Sequence, residues 1–413
     1  VYEAWLDSVA KPVRDTLGVA AAIGDSFEAE LLAEVAGPAI GDMVGAGDLL
    51  EKGLVRQDDG TGKLRFASKL EAHVAYSRLS RGHRVTIHRQ IAVVLSGRQE
   101  EPDAIAKHYE EAGDHLEALG KYREAAVMFS ERRERHRAMK CYSRSCSLAI
   151  AHGGNKTQFL EDVLEYIPLL LESGTVGQVE SLLEQAESMA EEVGEERLHI
   201  QVAAEKARFL ISKNLFGEAG SLLNNLVVRA RELRDLGLLA DLLAQTSEVA
   251  ERDGRQDEAI KYLTRSLEML GRVNSEQSRL QAVSNLGGLG RILFRGNQPD
   301  KALATFRQQA EAARKVGSRM YEARALVNEA AVLQGQEKLD IALERLSRGL
   351  DLAREVGDLL TVSKALHNMA HVQVRLGQVD QAKRGYTESL ATARSIRWRE
   401  GVAMNHAWLQ KLG

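Results

Sequence analysis

Proline is scarce in this chain, at five residues among 413. A sequence so poor in helix breakers, and rich in Ala, Leu, Glu and Arg, is built for helices. Aromatic side chains make up only 5%, so the core has to be close packing of Ala, Leu and Val rather than of large rings. Cysteine is nearly absent. Cys141 and Cys146 stand in a helical stretch with no His or Cys cluster around them, which excludes a metal site built on them and leaves two reduced, partly buried thiols. With no long apolar run and no signal-peptide pattern, no membrane is expected and the cytosol is the expected compartment. A net charge of −4 gives no overall field that would draw the protein to nucleic acid or to an anionic membrane. The chain begins at Val1 rather than Met, so a preceding domain is kept as an expectation.

What is present is a repeat. The segments "NQPDKALATFRQQAEAARKVG", "EKLDIALERLSRGLDLAREVG" and "GQVDQAKRGYTESLATARSIR" carry Asp300, Asp340 and Asp380 in step, each followed by Ala302, Ala342 and Ala382. The frame runs back through Ala259, Ala219, Val179 and Ala138, and the intervals in chain order are 41, 40, 40, 43, 40 and 40. Seven units at one period mark a stacked-repeat architecture. Each unit holds two amphipathic stretches. Ala302, Phe306, Ala310 and Ala313 put small and apolar residues on one helix face, where two antiparallel helices can approach closely. Gly217, Gly254 and Gly377 read as turn residues. Pro299 suits a helix start, and Pro168 predicts a kink or break in an early repeat.

This pattern resembles the tetratricopeptide repeat, in a longer form of about 40 residues than the 34-residue unit. Similar arrays occur in the sensor arm of maltose-activator-type bacterial regulators and in eukaryotic polarity adaptors. The resemblance covers roughly residues 101–413 and implies an all-α helical-hairpin superhelix. It says little about function, since such arrays serve many partners.

Residues 1–100 break the period. Apolar helical stretches fall near 11–22, 27–36 and 41–52, and "GLVRQDDGTGKLRFAS" then reads as two short strands around a turn. Three helices and a β-hairpin read as a winged helix. The following "RFASKLEAHVAYSRLSRGHRVTIHRQIAVVL" resembles the segment after the winged helix in STAND-type signal-transduction ATPases, in Phe66, Glu71, Ala75, Tyr76, Leu79, Arg84, His88, Ala92 and Leu95. Ser68 stands where that family often has His. The resemblance implies the order P-loop ATPase, winged helix, helical repeats, with the ATPase ahead of Val1.

Several motifs invite chemistry and fail on inspection. "DDGTGKLR" has the Gly-Lys of a phosphate loop, but Gln57 occupies the first Gly position, Leu64 the Ser/Thr position, and a strand follows instead of a helix. No nucleotide and no other cofactor is expected in this chain. The third N-terminal helix, "IGDMVGAGDLLEKG", sets Asp42, Asp48 and Glu51 against Lys52, and the wing sets Asp58 and Asp59 against Lys63 and Arg65, which argues against DNA. The basic stretches Arg78, Arg81, Arg84, Arg89 and Arg132, Arg133, Arg135, Arg137, Lys140 read either as solvated helix faces or as an interface with an acidic surface, such as the ATPase. His367 and His371 have i, i+4 spacing but lack the Glu of a His-Glu-x-x-His zinc site. No catalytic constellation stands out, and an enzyme is not expected.

The first helices of stacked repeats line the concave side. Fourteen residues before the signature position stand Glu165, Glu205, Gln245, Gly288, Asn328 and Asn368, a polar column apart from Gly288. Neighbouring columns divide by sign. Early repeats supply Glu161, Glu165, Glu172, Glu205, Asp241 and Glu248, and late repeats supply Arg291, Arg295, Arg324, Asn328, Lys364, Asn368, His371 and Arg375. Asn328 and Asn368 match the groove asparagine of peptide-binding repeats of this family, whose Asn, Lys and Arg hold ligand backbone and carboxylates. The expectation is a winged-helix module and helical linker over 1–100, then about seven repeats over 101–413. The eight late residues would hold an acidic or C-terminal peptide segment. The expected role is the partner-sensing arm of a STAND-type signalling protein. A stand-alone scaffold and a DNA-binding regulator are the alternatives.

Overall fold

The computed structural model describes residues 9–40, 45–58 and 60–413. Asp42 and Asp59 lie outside them. By internal contacts the chain divides into two units, 1–198 and 199–413.

The first unit opens with α1 (Lys11–Ile23), β1 (Ser26–Phe27), α2 (Ala29–Ile40), α3 (Ala46–Glu51), β2 (Val55–Gln57), β3 (Leu64–Phe66), α4 (Lys69–Ser77) and α5 (Arg81–Gly97). The three strands form an antiparallel sheet in the order β1-β3-β2, with Phe27 opposite Leu64 and Val55 opposite Phe66. Leu64 and Phe66 are buried and Arg65 between them is exposed, the alternation of a one-sided sheet. The expected hairpin is present, and the two-residue β1 adds a strand too short to leave a period-2 signal. The turn is closed by Asp58, whose carboxylate accepts from the Gly60 and Thr61 backbone N–H groups at 3.0 and 3.1 Å. Those bonds hold its pKa below the usual carboxylate range. At the hairpin, Lys63 Nζ lies 3.3 Å from Glu28 Oε1.

One core runs from Val13 to Ile105 and joins the sheet and helices to the start of α6 (Pro102–Ala112). At its edge Tyr76 Oη lies 2.9 Å from His88 Nε2, and His88 Nδ1 lies 2.9 Å from His108 Nδ1. Both imidazoles are buried, and burial lowers their pKa, that of His108 to about 3. The basic stretches meet the chain's own acids. Arg89 pairs with Asp114, Arg137 with Glu101 and Asp103, and Arg135 with Glu172. Arg84 lies over the Tyr76 ring.

The remaining helices of this unit are α7 (His115–Glu131), α8 (Arg135–His152), α9 (Lys156–Ser173) and α10 (Val179–Val193). Pro168 does not break α9, which is continuous through it. The proline leaves the Leu164 carbonyl without its helical donor, but Phe159, Leu160, Val163, Tyr166, Ile167 and Leu170 bury the helix on both sides of that point. Cys141 and Cys146 are buried and free, and burial raises their thiol pKa to about 11 and about 12.

From α11 (Glu196–Ser212) onward the hairpins repeat: α12 (Phe216–Glu232), α13 (Leu236–Arg252), α14 (Gln256–Leu270), α15 (Glu276–Arg295), α16 (Pro299–Lys315), α17 (Arg319–Gly335), α18 (Leu339–Glu355), α19 (Leu359–Arg375), α20 (Val379–Ser395) and α21 (Arg399–Lys411). The signature residues Ala138, Val179, Ala219, Ala259, Ala302, Ala342 and Ala382 are all fully buried. One helical turn on, Tyr142, Leu183, Leu223, Leu263, Phe306, Leu346 and Tyr386 fill the space between helices. Five residues before each signature position the backbone turns left-handed, at Arg133, Gly174, Asn214, Gly254, Asn297, Glu337 and Gly377. The repeat is therefore written in the backbone as well as in the side chains. Gly217 is not a turn residue but the second residue of α12, and Asn214 makes that turn. The 43-residue interval accommodates the 20-residue α15, where Gly290 sits so close to the Phe306 ring that a Cβ would approach it to 2.5 Å.

Candidate functional site

In the second unit, successive first helices (α13, α15, α17, α19, α21) also touch one another, and no contact of that extent joins successive second helices among the described residues. The first-helix side is therefore the inner side of that unit. On α19, Lys364, Asn368, His371 and Arg375 stand at i, i+4, i+7 and i+11, one stripe of the helix. Arg324 and Asn328 hold the matching positions on α17, and Arg291 and Arg295 lie on α15.

The structure brings three of these cations within electrostatic reach of one another. Lys364 has its pKa lowered, by burial first and then by Arg291 and Arg324. Arg291 is accessible to solvent, yet the surrounding walls strip part of its hydration. That desolvation, with Arg295 and Arg324 nearby, lowers its pKa despite Glu251 and Glu248. Arg291 and Lys364 make no ion pair among the described residues. Arg324 does: its Nε donates to Asp358 Oδ2 at 2.8 Å. Asp358 also caps α19, its Oδ1 accepting from the Thr361 backbone N–H at 3.3 Å, and its Oδ2 accepts from Thr361 Oγ1 at 2.8 Å. Desolvation would raise the Asp358 pKa, but the Arg324 bond and charge and the Thr361 bonds outweigh it and lower the pKa. The side-chain amides of Asn328 and Asn368 are half-buried and make no hydrogen bond among the described residues. The cluster thus offers positive charge in excess beside two unoccupied amide groups.

Besides Arg324, three more of the eight expected residues are already engaged. Arg295 Nη1 lies 2.5 Å from Glu251 Oε1. Arg375 donates to the Gln334 carbonyl at 2.8 Å and pairs with Glu337. His371 meets the Trp408 ring edge-on with centroids 4.9 Å apart. These tie one repeat to the next. His367 shares no metal site with His371: its Nδ1 is bonded to Asn405 Oδ1 at 2.9 Å in the core. No group of three or more His, Cys, Asp or Glu fit to hold a metal ion exists among the described residues.

Aromatic walls were missed in the sequence. The Arg324 guanidinium carbon lies 5.8 Å from the Tyr321 ring centroid and Lys364 Nζ lies 5.6 Å from that of Trp398. The available signal was rarity: two of the chain's three tryptophans, Trp398 and Trp408, fall in the last forty-residue period.

The acidic half is engaged with the chain's own cations. Arg208 Nη2 donates to both oxygens of Asp241 at 2.8 and 2.9 Å, and its Nη1 to Glu205 Oε1 at 2.9 Å. Gln245 and Gln281 add bonds to Asp241 at 2.9 and 3.2 Å. In the first unit Glu161 pairs with Arg123 and Glu172 with Arg135. The acids are largely neutralised in place.

The class these features define is a helical-hairpin repeat solenoid, a fold of binding proteins. Within it, residues 321–395 match the tetratricopeptide repeat family. The fold is similar to a Signal Transduction ATPase with Numerous Domains (STAND) protein with a tetratricopeptide repeat sensor from Pyrococcus horikoshii, at TM-score 0.56 and 13% identity. That match covers 100% of this chain, which spans only 61% of that protein's length. A Rap protein complexed with Competence and Sporulation Factor is similar at TM-score 0.54 and 15% identity, over 80% of this chain and 92% of that one. The apo quorum sensor NprR from B. thuringiensis is similar at TM-score 0.50 and 13% identity, over 73% and 82%. No curated protein matches the sequence. No helix among the described residues is long and apolar enough to cross a membrane.

Proposed function

We propose that the chain is the partner-sensing arm of a STAND-type signalling protein, and that the inner face of its late repeats holds an acidic peptide or protein segment. The observation that carries this reading is the cluster of Arg291, Arg324 and Lys364 beside the unbonded amides of Asn328 and Asn368. Like charges held together are costly unless an anion neutralises them. Ligand carboxylates bond to the cations, and the two carboxamides pair with ligand backbone N–H and C=O. The aromatic walls of Tyr321 and Trp398 add apolar contact. The complex of a Rap protein with Competence and Sporulation Factor, among proteins of similar fold, supports a binding role for the repeats.

The sensing role draws on the N-terminal module. Its order of α1, β1, α2, α3, β2, β3 with sheet order β1-β3-β2 supports a winged-helix reading. Asp48 and Glu51 on the short third helix favour docking on protein over DNA. Ligand on the repeats would shift how the arm engages an ATPase domain, by differential affinity for two states. The test is fluorescence anisotropy with a library of acidic peptides on the wild type and on Arg324→Glu/Lys364→Glu. Tighter binding by the wild type is expected, and equal binding by both proteins would sink the reading.

A further inference from the structure

Between α16 and α18 the second-helix side of the same unit opens into a cleft of about 510 Å³, floored by α17 and lined by Arg307, Arg314, Arg345, Arg348, Leu326 and Glu329 among others. It lies on the opposite side of α17 from Arg324 and Asn328. Two carboxylates of α17 organise it. Glu329 Oε1 accepts from Arg307 Nε at 3.0 Å and from Arg345 Nε at 3.4 Å. Glu322 Oε1 accepts from Arg348 Nη2 at 2.9 Å and pairs with Arg314 Nε at 3.2 Å. The arginines come from the two flanking helices in both layers, so each carboxylate spans the cleft floor.

Both glutamates are buried, while the side chains of Arg307, Arg314 and Arg348 are 57%, 53% and 56% exposed. A network that served only to clamp three helices would turn its guanidinium forks onto the carboxylates. Here Arg307 and Arg314 approach through Nε, and their Nη groups have no protein acceptor among the described residues. Four guanidiniums against two buried carboxylates leave positive charge in excess, even after Glu344 takes up Arg345 Nη1 at 2.7 Å.

The spacing sets the ligand. Glu322 and Glu329 are two helical turns apart, so the layers are about 10 Å apart at a rise of 1.5 Å per residue. Side chains three residues apart on a chain in the polyproline II conformation lie on one face about 9 Å apart, nearly the same distance. The floor between the layers is apolar, at Ala310 and Leu326. Glu311 and Glu344 at the margins interrupt the positive field, which disfavours the unbroken phosphate row of a nucleic acid.

We infer that this cleft is a second binding site, for an extended acidic protein segment with carboxylates three residues apart on the Arg307/Arg345 and Arg314/Arg348 layers and a small apolar residue between them. The site is separate from the inner face and does not rest on the reading given for it. The probe is a fluorescein-labelled peptide of sequence type Glu-Ala-Leu-Glu, titrated at low salt onto the full chain. The variants are Arg307→Gln/Glu329→Gln and Arg314→Gln/Glu322→Gln, which replace an ion pair by neutral amides without changing the net charge; Arg345 keeps Glu344, and Arg348 is exposed to solvent. Each is expected to weaken the peptide about tenfold, for one lost charge-assisted contact, with the melting curve retained. Arg384→Gln, at an exposed position of α20 that belongs to neither site, is expected to leave that affinity unchanged. Wild-type affinity in both amide pairs overturns the site. Loss of binding in Lys364→Gln but not in the pairs assigns the peptide to the inner face and also overturns it. Tighter binding of single-stranded DNA than of the peptide, lost in the same pairs, overturns the ligand class.

Discussion

The early and late repeats of the second unit present the same inner-face positions with opposite outcomes. In α11 and α13, Arg208 is surrounded by Glu205 and Asp241, and Gln245 and Gln281 complete the bonding of Asp241. In α15, α17 and α19, Arg291 and Lys364 lie within electrostatic reach of Arg324 and lack a full complement of acids. A saturated charge network holds helices together; an unsaturated one is left with affinity to spend on something else.

That contrast is broken most severely from the early side. Arg208→Met removes the cation shared by two carboxylates, Glu205 being buried, and is expected to cost about 3 kcal/mol, the lower end of the range for a broken buried pair because Arg208 is partly exposed. Lys364→Met is expected to leave stability unchanged or to raise it, since it relieves repulsion from Arg291 and Arg324. Urea unfolding followed by circular dichroism reads both. Next in size is the charge reversal Arg324→Glu/Lys364→Glu, expected to weaken an acidic peptide about a hundredfold through two lost charge-assisted contacts. Glu248→Gln is expected to leave that affinity unchanged. Calorimetric titration of the three proteins would separate them.

Removing the amides sharpens the difference further. Asn328→Ala and Asn368→Ala each delete one neutral ligand contact and are expected to weaken the peptide about fivefold, near 1 kcal/mol. Neither amide is bonded within the described residues, so melting is expected to stay where it is. The smallest effect is on pH. The lowered pKa of Lys364 means that it loses its proton before an ordinary lysine does. Affinity for an acidic peptide is therefore present at neutral pH and falls as pH rises through that lowered pKa, a fall that Lys364→Arg should abolish. Arg208 has its pKa raised, because Asp241 and Glu205 outweigh its desolvation. Stability from the early network is accordingly expected to hold over the same pH range.

Much of this was legible along the chain. The signature column from Ala138 to Ala382 was fully visible, because a position that must be small for two helices to touch cannot vary much in size. The inner stripe of Arg324, Asn328, Lys364 and Asn368 followed by counting, because helical period and repeat period are both fixed. Pairing was not legible. Arg295 and Arg375 look like Arg291 in the sequence, yet Glu251 and Glu337 engage them. Asp358 caps α19 and also meets Arg324 from the repeat before. The outer cleft was invisible for a related reason. Helix α17 is polar on two opposite faces, so Glu322 and Glu329 spoil its amphipathic pattern instead of standing out against it.

The sequence by itself determined the helical-hairpin array, its forty-residue period, and which residues line the inner face. These follow from local periodicity and from side-chain size at positions of close approach. Only the tertiary structure decided which charges are cancelled and which are left over. A salt bridge depends on a partner some 30 to 40 residues away meeting it at about 3 Å, as Arg208 meets Asp241 at 2.8 Å. No pattern along the chain records that distance.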